Sequence, residues 1–254
     1  MKWCAVVGLG CLVSISLSKA EPIWLVNFNG EGEGAAPTEL RAAGPDEVSV
    51  SGVFHTPEGS EEGRMTLVPS DGPDGGLALR MKGGDERNGA GYISTARGQY
   101  LETNAITYEV LLKPSEFPEG FNKEWGGQQI LNQQPGGDIP QCWLSMDEGG
   151  IVRINSLQAK AEAGLPLARW SHLAGVCVLS PDEGGECNLR IYINGELAQE
   201  GSFRRPKGKL PKSLGLGCYL QKGKGDSFQG DIDAIAVSSR ALEPSEFVLP
   251  IPKS

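Results

Sequence analysis

The chain of 254 residues is long enough for one large β domain or two small ones, and 32 acidic against 23 basic residues give a formal net charge of −9. That balance repels a phosphate backbone, which argues against nucleic-acid binding and leaves cations and neutral sugars as partners. Beyond the first twenty residues no stretch is long and apolar enough for a membrane helix.

The opening "MKWCAVVGLGCLVSISLSKAEP" has the form of a secretory signal peptide. Lys2 supplies the charge, an apolar run too short to span a bilayer follows, and Ser18-Lys19-Ala20 offers a small-residue cleavage site. A lipoprotein reading centred on Cys11 fits less well, because Gly8-Leu9-Gly10 is a poor upstream match. Cleavage after Ala20 leaves residues 21–254 as one domain in a secreted or periplasmic setting. Lys2 and Lys19 would leave with the leader, so 21 basic residues would face 32 acidic ones, a net of −11.

Short runs of period-two apolar residues then recur in order. They are "IWLVNFN", "GRMTLV", "LALRM", "ITYEVLLKP", "QQILNQQ", "CWLSM" with "IVRINSL", "HLAGVCVL", "NLRIYI", "LGLGCYL" and "IDAIAVSS". Gly, Pro, Asp and Asn separate them, and helical periodicity is almost absent apart from one turn at "EPSEF". Many short strands between turn signals predict an all-β sandwich or barrel. Residues 30–62 form a Gly-, Glu-, Pro- and Ala-rich loop region, and residues 124–141 a strand set between amide-rich loops.

The segment 170–197 predicts a β meander. Leu173, Gly175 and Cys177 share one face, and Cys187, Leu189, Ile191 and Ile193 share the facing one. Pairing Cys177 with Cys187 directly across the hairpin sets Gly175 against Leu189 and Leu173 against Ile191, so that apolar side chains meet. Asn194-Gly195 then supplies a two-residue turn. Four cysteines remain after the leader, an even count that suggests two disulfides in an exported chain. The hairpin register predicts Cys177–Cys187, and elimination leaves Cys142–Cys218.

"WSHLAGV", a loop and "LRIYINGEL" together resemble the laminin G-like domains of the concanavalin A-like lectin/glucanase superfamily. "NAITYEVLLKP" resembles that family's central strand, "ILNQQ" the short strand after it, and "FQGDIDAIAVSSRALEPSEF" its closing strand and short helix. The resemblance runs over roughly residues 75–247 and extends to the N-terminal strand "WLVNFNGEGEG". It implies a jelly-roll sandwich of two curved antiparallel sheets. It also implies one structural calcium ion, held by Asp233 with backbone carbonyls near Asn29 or residues 83–84, although Asp233 could equally cap loop amides.

Catalytic motifs are missing from the sequence. His172 has no nucleophile motif beside it, and G-x-S-x-G and H-E-x-x-H do not occur. The superfamily's glycosidases carry E-x-D-x-E or E-x-D-x-x-E on one strand, and neither spacing is found here. Asp147-Glu148 falls at a hairpin tip, where neighbouring side chains diverge, and Asp231 and Asp233 share a face of a structural strand. "GEGEG" at 30–34 follows a strand but opens no helix, so a phosphate loop is not indicated. The basic stretch 203–212 reads as a solvated loop, with an anionic-glycan contact as the sharper alternative.

These readings predict a non-catalytic binding module for a glycan or an extracellular protein, with an adhesion role or a hydrolase or lyase lacking the usual motif as alternatives. Sugars present apolar C–H faces and many hydroxyls, so their sites combine an aromatic with amides. Trp125, Trp143 and Tyr219, flanked by Gln128 and Asn132, form the predicted platform. In the competing reading Trp143 is a cover beneath a loop.

Overall fold

The computed structural model describes residues 22–29, 32–35, 39–42, 48–54, 65–73, 75–84, 90–94, 101–115, 127–133, 142–155, 160–217 and 227–253. The leader expected at 1–20 lies outside the described residues, as do Trp125, Tyr219 and Cys218.

Among the described residues seventeen strands form two layers. The back sheet holds β1 (Trp24–Asn27), β2 (Gly34–Ala35), β5 (Met65–Pro69), β6 (Leu77–Gly84), β8 (Ala105–Pro114), β13 (Ser171–Val178), β14 (Glu186–Ile193), β15 (Glu196–Arg204) and β17 (Ser227–Ser238). β17 lies at its centre, with β8, β13, β14 and β15 following on one side. On its other side β6 pairs with the first half of β17 and β1 with the second, and β5 and β2 continue beyond β6. The front sheet runs β3 (Glu39–Ala42), β4 (Val48–Phe54), β7 (Ala90–Ser94), β16 (Gly215–Leu216), β9 (Gln128–Gln133), β10 (Cys142–Met146), β11 (Ile151–Asn155) and β12 (Lys160–Gly164). Every pairing is antiparallel except one parallel bridge, Ser227 to Gln129, which ties the two sheets together. This is the jelly-roll sandwich that the alternating runs and the resemblance predict.

Alternation decides what each strand buries. On β8, Ile106, Tyr108, Val110 and Leu112 point inward, and they meet Leu173, Cys177, Leu189 and Ile191 of the hairpin and Leu144, Met146, Val152 and Ile154 of the front sheet in one core. Each fully buried aliphatic or aromatic side chain contributes about 1.5–3 kcal/mol. Gly175 sits in the middle of this layer, between Tyr108 and Ile191. A Cβ there would stand 2.7 Å from Leu144 Cδ2 and 3.2 Å from Ile154 Cδ1, so the missing side chain lets β10 and β11 settle onto the back sheet.

The hairpin register differs from the expectation by two residues. Cys177 faces Leu189, Gly175 faces Ile191 and Leu173 faces Ile193, while Cys187 faces Phe203 on β15. Cys177 and Cys187 are therefore diagonal neighbours on one buried face, and both are thiols in the structure. Two features set this register. Asn194 occupies the left-handed region at φ 51° with Gly195 at 80°, and the Asn194 side chain accepts from the His172 backbone N–H at 2.9 Å. Loop 180–185 is clasped from outside, because Gly184 N–H donates to Arg205 O and Arg205 N–H to Gly185 O. The directly opposed Cys177–Cys187 bridge is thus corrected. Cys142 opens β10, and its expected partner Cys218 lies outside the described residues.

The outer face of the back sheet is covered as well. After β17 the chain makes a single 3-10 turn, Pro244–Glu246, closed by a reciprocal cap between Glu243 and Glu246, and lies across the strands as a strap. Leu242 and Phe247 pack on Ala174, Val176 and Tyr192, and Leu249 packs on Leu111, Ala234 and Ala236. Beneath the strap Glu109 is fully buried. It accepts the Val248 N–H at 2.9 Å and the Leu249 N–H at 3.0 Å, and its Oε2 stands 3.1 Å from His172 Nε2. The His172 ring stacks obliquely on Phe247 at 5.0 Å between centroids. His172 is thus enclosed in the packing between the sheet and the strap.

Candidate functional site

The outer face of the front sheet carries the polar residues that the sequence singles out. On β9 and β10, Trp143 pairs with Asn132 and Ser145 with Gln129, while Leu144 pairs with Leu131 on the core side. Ile130 is the extra residue of a bulge between these pairs and also enters the core, so Gln129 and Asn132 are both turned outward. β11 and β12 extend the face, with Arg153 beside Ser145 and Glu162 beside Arg153.

A directional chain of amides lies on this face. Gln129 Nε2 donates to the Gly127 carbonyl at 3.2 Å, and Asn132 Nδ2 donates to Gln129 Oε1 at 3.1 Å. Gly127 can serve because it adopts φ +82° close to β10, where a Cβ would fall 2.3 Å from Asp147 Oδ1 and 2.5 Å from Met146 O. Gln129 and Asn132 are buried, whereas Trp143 is half-buried. Among the described residues Asn132 Oδ1, a buried acceptor, has no hydrogen-bond partner.

Next to the amides lies a charge cluster. Arg153 bonds Asp147 and stands 3.3 Å from Glu162, and Glu162 also takes the Lys160 ammonium at 2.8 Å. Hydrogen bonding from Lys160 first, then the field of Arg153, holds the Glu162 carboxyl below its ordinary range.

The structure unites part of the predicted platform. Trp143 and Asn132 are direct neighbours on one outward face. Gln128 does not belong to it: it pairs with Met146, on the core side, and its Oε1 accepts the Gln229 N–H at 2.9 Å. The bulge at Ile130 is the physical reason, because simple alternation puts Gln128 and Asn132 on one face and the extra residue separates them. Gln129, which the predicted platform does not include, takes the place on this face that Gln128 was given. The irregularity has no signature in "QQILNQQ".

Two other surfaces compete. A shallow open depression of about 510 Å³ lies on the outer face of β14 and β15, lined by Glu186, Asn188, Arg190, Glu200 and Ser202. Arg190 is already tied to Glu243 of the strap at 2.8 Å, and Tyr192 beneath it is buried, so no aromatic face is on offer there. The second surface surrounds Asp233. This residue is the extra one of a second bulge, between Ile232 and Ala234, and is buried on the outer side of the back sheet. Residues 70–73 rest against it: the position of a Gly72 Cβ lies 2.8 Å from Asp233 Oδ2 and 2.9 Å from Ser70 Oγ. One carboxylate, a hydroxyl and nearby backbone fit a hard, oxygen-seeking cation in donor type. Among the described residues no three His, Cys, Asp or Glu side chains gather. Asp231, on the same strand, is taken by Arg80 in a two-pronged pair at 2.8 and 2.9 Å.

The basic stretch is largely structural. Arg205 reaches Asn104 Oδ1 at 3.2 Å and Gly208 O at 3.3 Å and also bonds Ser180 O, and Lys209 pairs with Glu102 at 2.8 Å. Trp170 donates to Asp71 at 2.6 Å, and Lys113 binds the same carboxylate and lies over the indole at 6.0 Å.

Comparison with known proteins gives the same architecture. A laminin G-like family model, described as the concanavalin A-like lectin/glucanases superfamily, matches residues 87–247. No curated protein matches the chain. Among solved structures, domain 4 of AbnA, a GH43 extracellular arabinanase from Geobacillus stearothermophilus in complex with arabinotriose, is 17% identical with a TM-score of 0.56, covering 90% of this chain and 97% of that one. A Trypanosoma rangeli sialidase mutant displaying trans-sialidase activity gives 15% identity and a TM-score of 0.56, but this chain spans only 32% of it. The botulinum neurotoxin type G receptor binding domain gives 9% and 0.54, with 50% of its length spanned. At these identities the likeness is one of fold. No helix among the described residues is long and apolar enough to cross a membrane.

Proposed function

The chain belongs to the concanavalin A-like lectin/glucanase superfamily, and from that premise we propose that it is a non-catalytic, exported module that binds carbohydrate on the outer face of β9–β12. The observation that carries the reading is the direct juxtaposition of Trp143 and Asn132, an indole beside an amide whose acceptor oxygen has no partner. An indole takes the C–H face of a sugar ring while an amide oxygen fixes a hydroxyl. The arabinotriose complex of a domain with this fold makes a saccharide a natural first ligand. The leader at 1–20 supports export.

The carboxylates support a binding rather than a hydrolytic role. A glycosidase needs one carboxyl held protonated as general acid and a second ionised. Here Asp147 and Glu162 both engage Arg153, and the neighbours of Glu162 favour its ionised form. A glycan array probed with the full chain tests the function, with Trp143→Ala as control. Retained fold with lost binding supports the reading. Binding to no glycan, or release of reducing sugar from a bound one, refutes it.

A calcium ion at Asp233, with oxygens of loop 70–72, would pin that loop to the central strand. A single carboxylate implies weak, millimolar affinity. Melting with calcium and with chelator should differ by a few degrees, and identical curves remove the ion from the account.

A further inference from the structure

The amide chain has a polarity that nothing in the ligand can reverse. Asn and Gln side chains can usually flip, exchanging donor for acceptor. These two cannot do so independently. The Gly127 carbonyl is a fixed backbone acceptor, so the Gln129 group that meets it must be the N–H₂. Gln129 therefore turns its oxygen to Asn132, and Asn132 must answer with its own N–H₂. The outer end of the relay is then a carbonyl oxygen, Asn132 Oδ1, buried and without a hydrogen-bond partner. Flipping Asn132 alone would set oxygen against oxygen at 3.1 Å, and flipping both would move the same conflict to Gly127. Either costs about 1–3 kcal/mol or more for the unpaired buried groups.

We infer that Gln129 is a positioning residue and Asn132 a specificity-determining one, which together make the site select neutral, hydroxyl-bearing sugar units over acidic ones. This rests on the glycan-binding reading of the same face and names the ligand chemistry within it. A hydroxyl inserted beside half-buried Trp143, the direct cross-strand neighbour, can donate to the buried Asn132 Oδ1 once ligand entry opens that side of the sheet. Carboxylate, sulfate and phosphate oxygens are acceptors at neutral pH and would face another acceptor. A site built around a buried polar group rejects a ligand that leaves it unpaired far more strongly than an apolar wall rejects a misfit.

The test uses the full chain on an array containing arabinotriose together with pairs that differ only at C6, such as β-1,4-mannotriose against β-1,4-trimannuronate. Neutral members should bind at least 10-fold more tightly than their uronate counterparts. The negative charge of the chain also disfavours uronates, so the deciding variant leaves charge untouched. Gln129→Met keeps length and bulk but removes the relay, which frees the Asn132 amide to turn its N–H₂ outward. The neutral-to-acidic ratio should then fall several-fold, toward 1, while the variant still folds cooperatively with a melt lowered by a few degrees. Asn132→Leu, which removes the acceptor at similar bulk, should weaken neutral-sugar binding at least 10-fold, and if that variant does not fold, the Gln129→Met ratio decides alone. A uronate preference in the parent chain, or an unchanged ratio in Gln129→Met, overturns this inference while leaving glycan binding intact. Binding to no sugar at all overturns both.

Discussion

Replacing Glu109 with Ala probes how the strap is held. The wild-type carboxylate takes two backbone N–H groups, at Val248 and Leu249, and lies 3.1 Å from His172 Nε2, all beneath the strap. Truncation strands these donors in a place with no solvent. Each buried orphan costs about 1–3 kcal/mol. Three such groups sum to about 3–9 kcal/mol, and local fraying of residues 247–249, which lets water reach the two backbone groups, holds the loss in the lower part of that range. A destabilisation of about 3–5 kcal/mol follows, equivalent to a fall in Tm on the order of 10 °C for a chain of this size. Urea denaturation gives the magnitude, and limited proteolysis gives the location, because cleavage should appear first within 240–253. Glu109→Gln should fall in between, since one oxygen remains to accept. A loss under about 1 kcal/mol for the Ala variant, with the strap still resistant to protease, would refute the idea that Glu109 anchors it.

Other outcomes follow from the same structure. Gly230→Ala should cost more than about 2 kcal/mol, because Gly230 sits at φ +146° and a Cβ would come within 2.4 Å of Lys113 O, and chemical denaturation would measure it. Lys113, then the Trp170 indole, holds the Asp71 carboxyl below its ordinary range, so its folded pKa lies under its unfolded one. Its stabilisation is therefore present above about pH 4 and lost as the pH falls through the folded value. The Asp71 side chain is 71% exposed, so the effect is worth roughly a few tenths of a kcal/mol, and Asp71→Asn should flatten the melting profile between pH 5 and 2 only slightly. Burial pushes the Cys187 thiol up, so iodoacetamide should label it only after unfolding, and labelling of the native chain would contradict the packing.

Much of the back sheet is legible in the sequence because its strands are long and bury one clean alternating face. "ITYEVLLKP" and "NLRIYI" fall inside strands, and "HLAGVCVL" and "IDAIAVSS" overrun theirs by one residue each. β12, "KAEAG", is not legible, since alanine alternating with charge resembles a solvated loop. The role of Glu109 was hidden by its outward parity, which normally means water, and only the strap gives that face a lid. The two bulges, at Ile130 and Asp233, are the other blind spot. Each inserts one residue without changing composition, and each turns the side chains beyond it, which is why Gln128 and Gln129 exchange places. Trp143 and Asn132 survive because both lie on the far side of the bulge from that exchange.

The position of β17 along the chain bears on how the molecule is assembled. The central strand of the back sheet, which borders β1, β6 and β8 and touches β9, lies at residues 227–238, near the end of the chain. During synthesis the strands beside it emerge from the ribosome first, and the gap they flank cannot close until that segment follows. β1 waits for a partner some two hundred residues downstream, a long closure that slows folding relative to proteins with local contacts. Until then the edges of β6 and β8 have unpaired backbone groups, the kind of surface that invites strand addition from another chain. A late-arriving centre makes the nascent protein dependent on being kept apart from its neighbours.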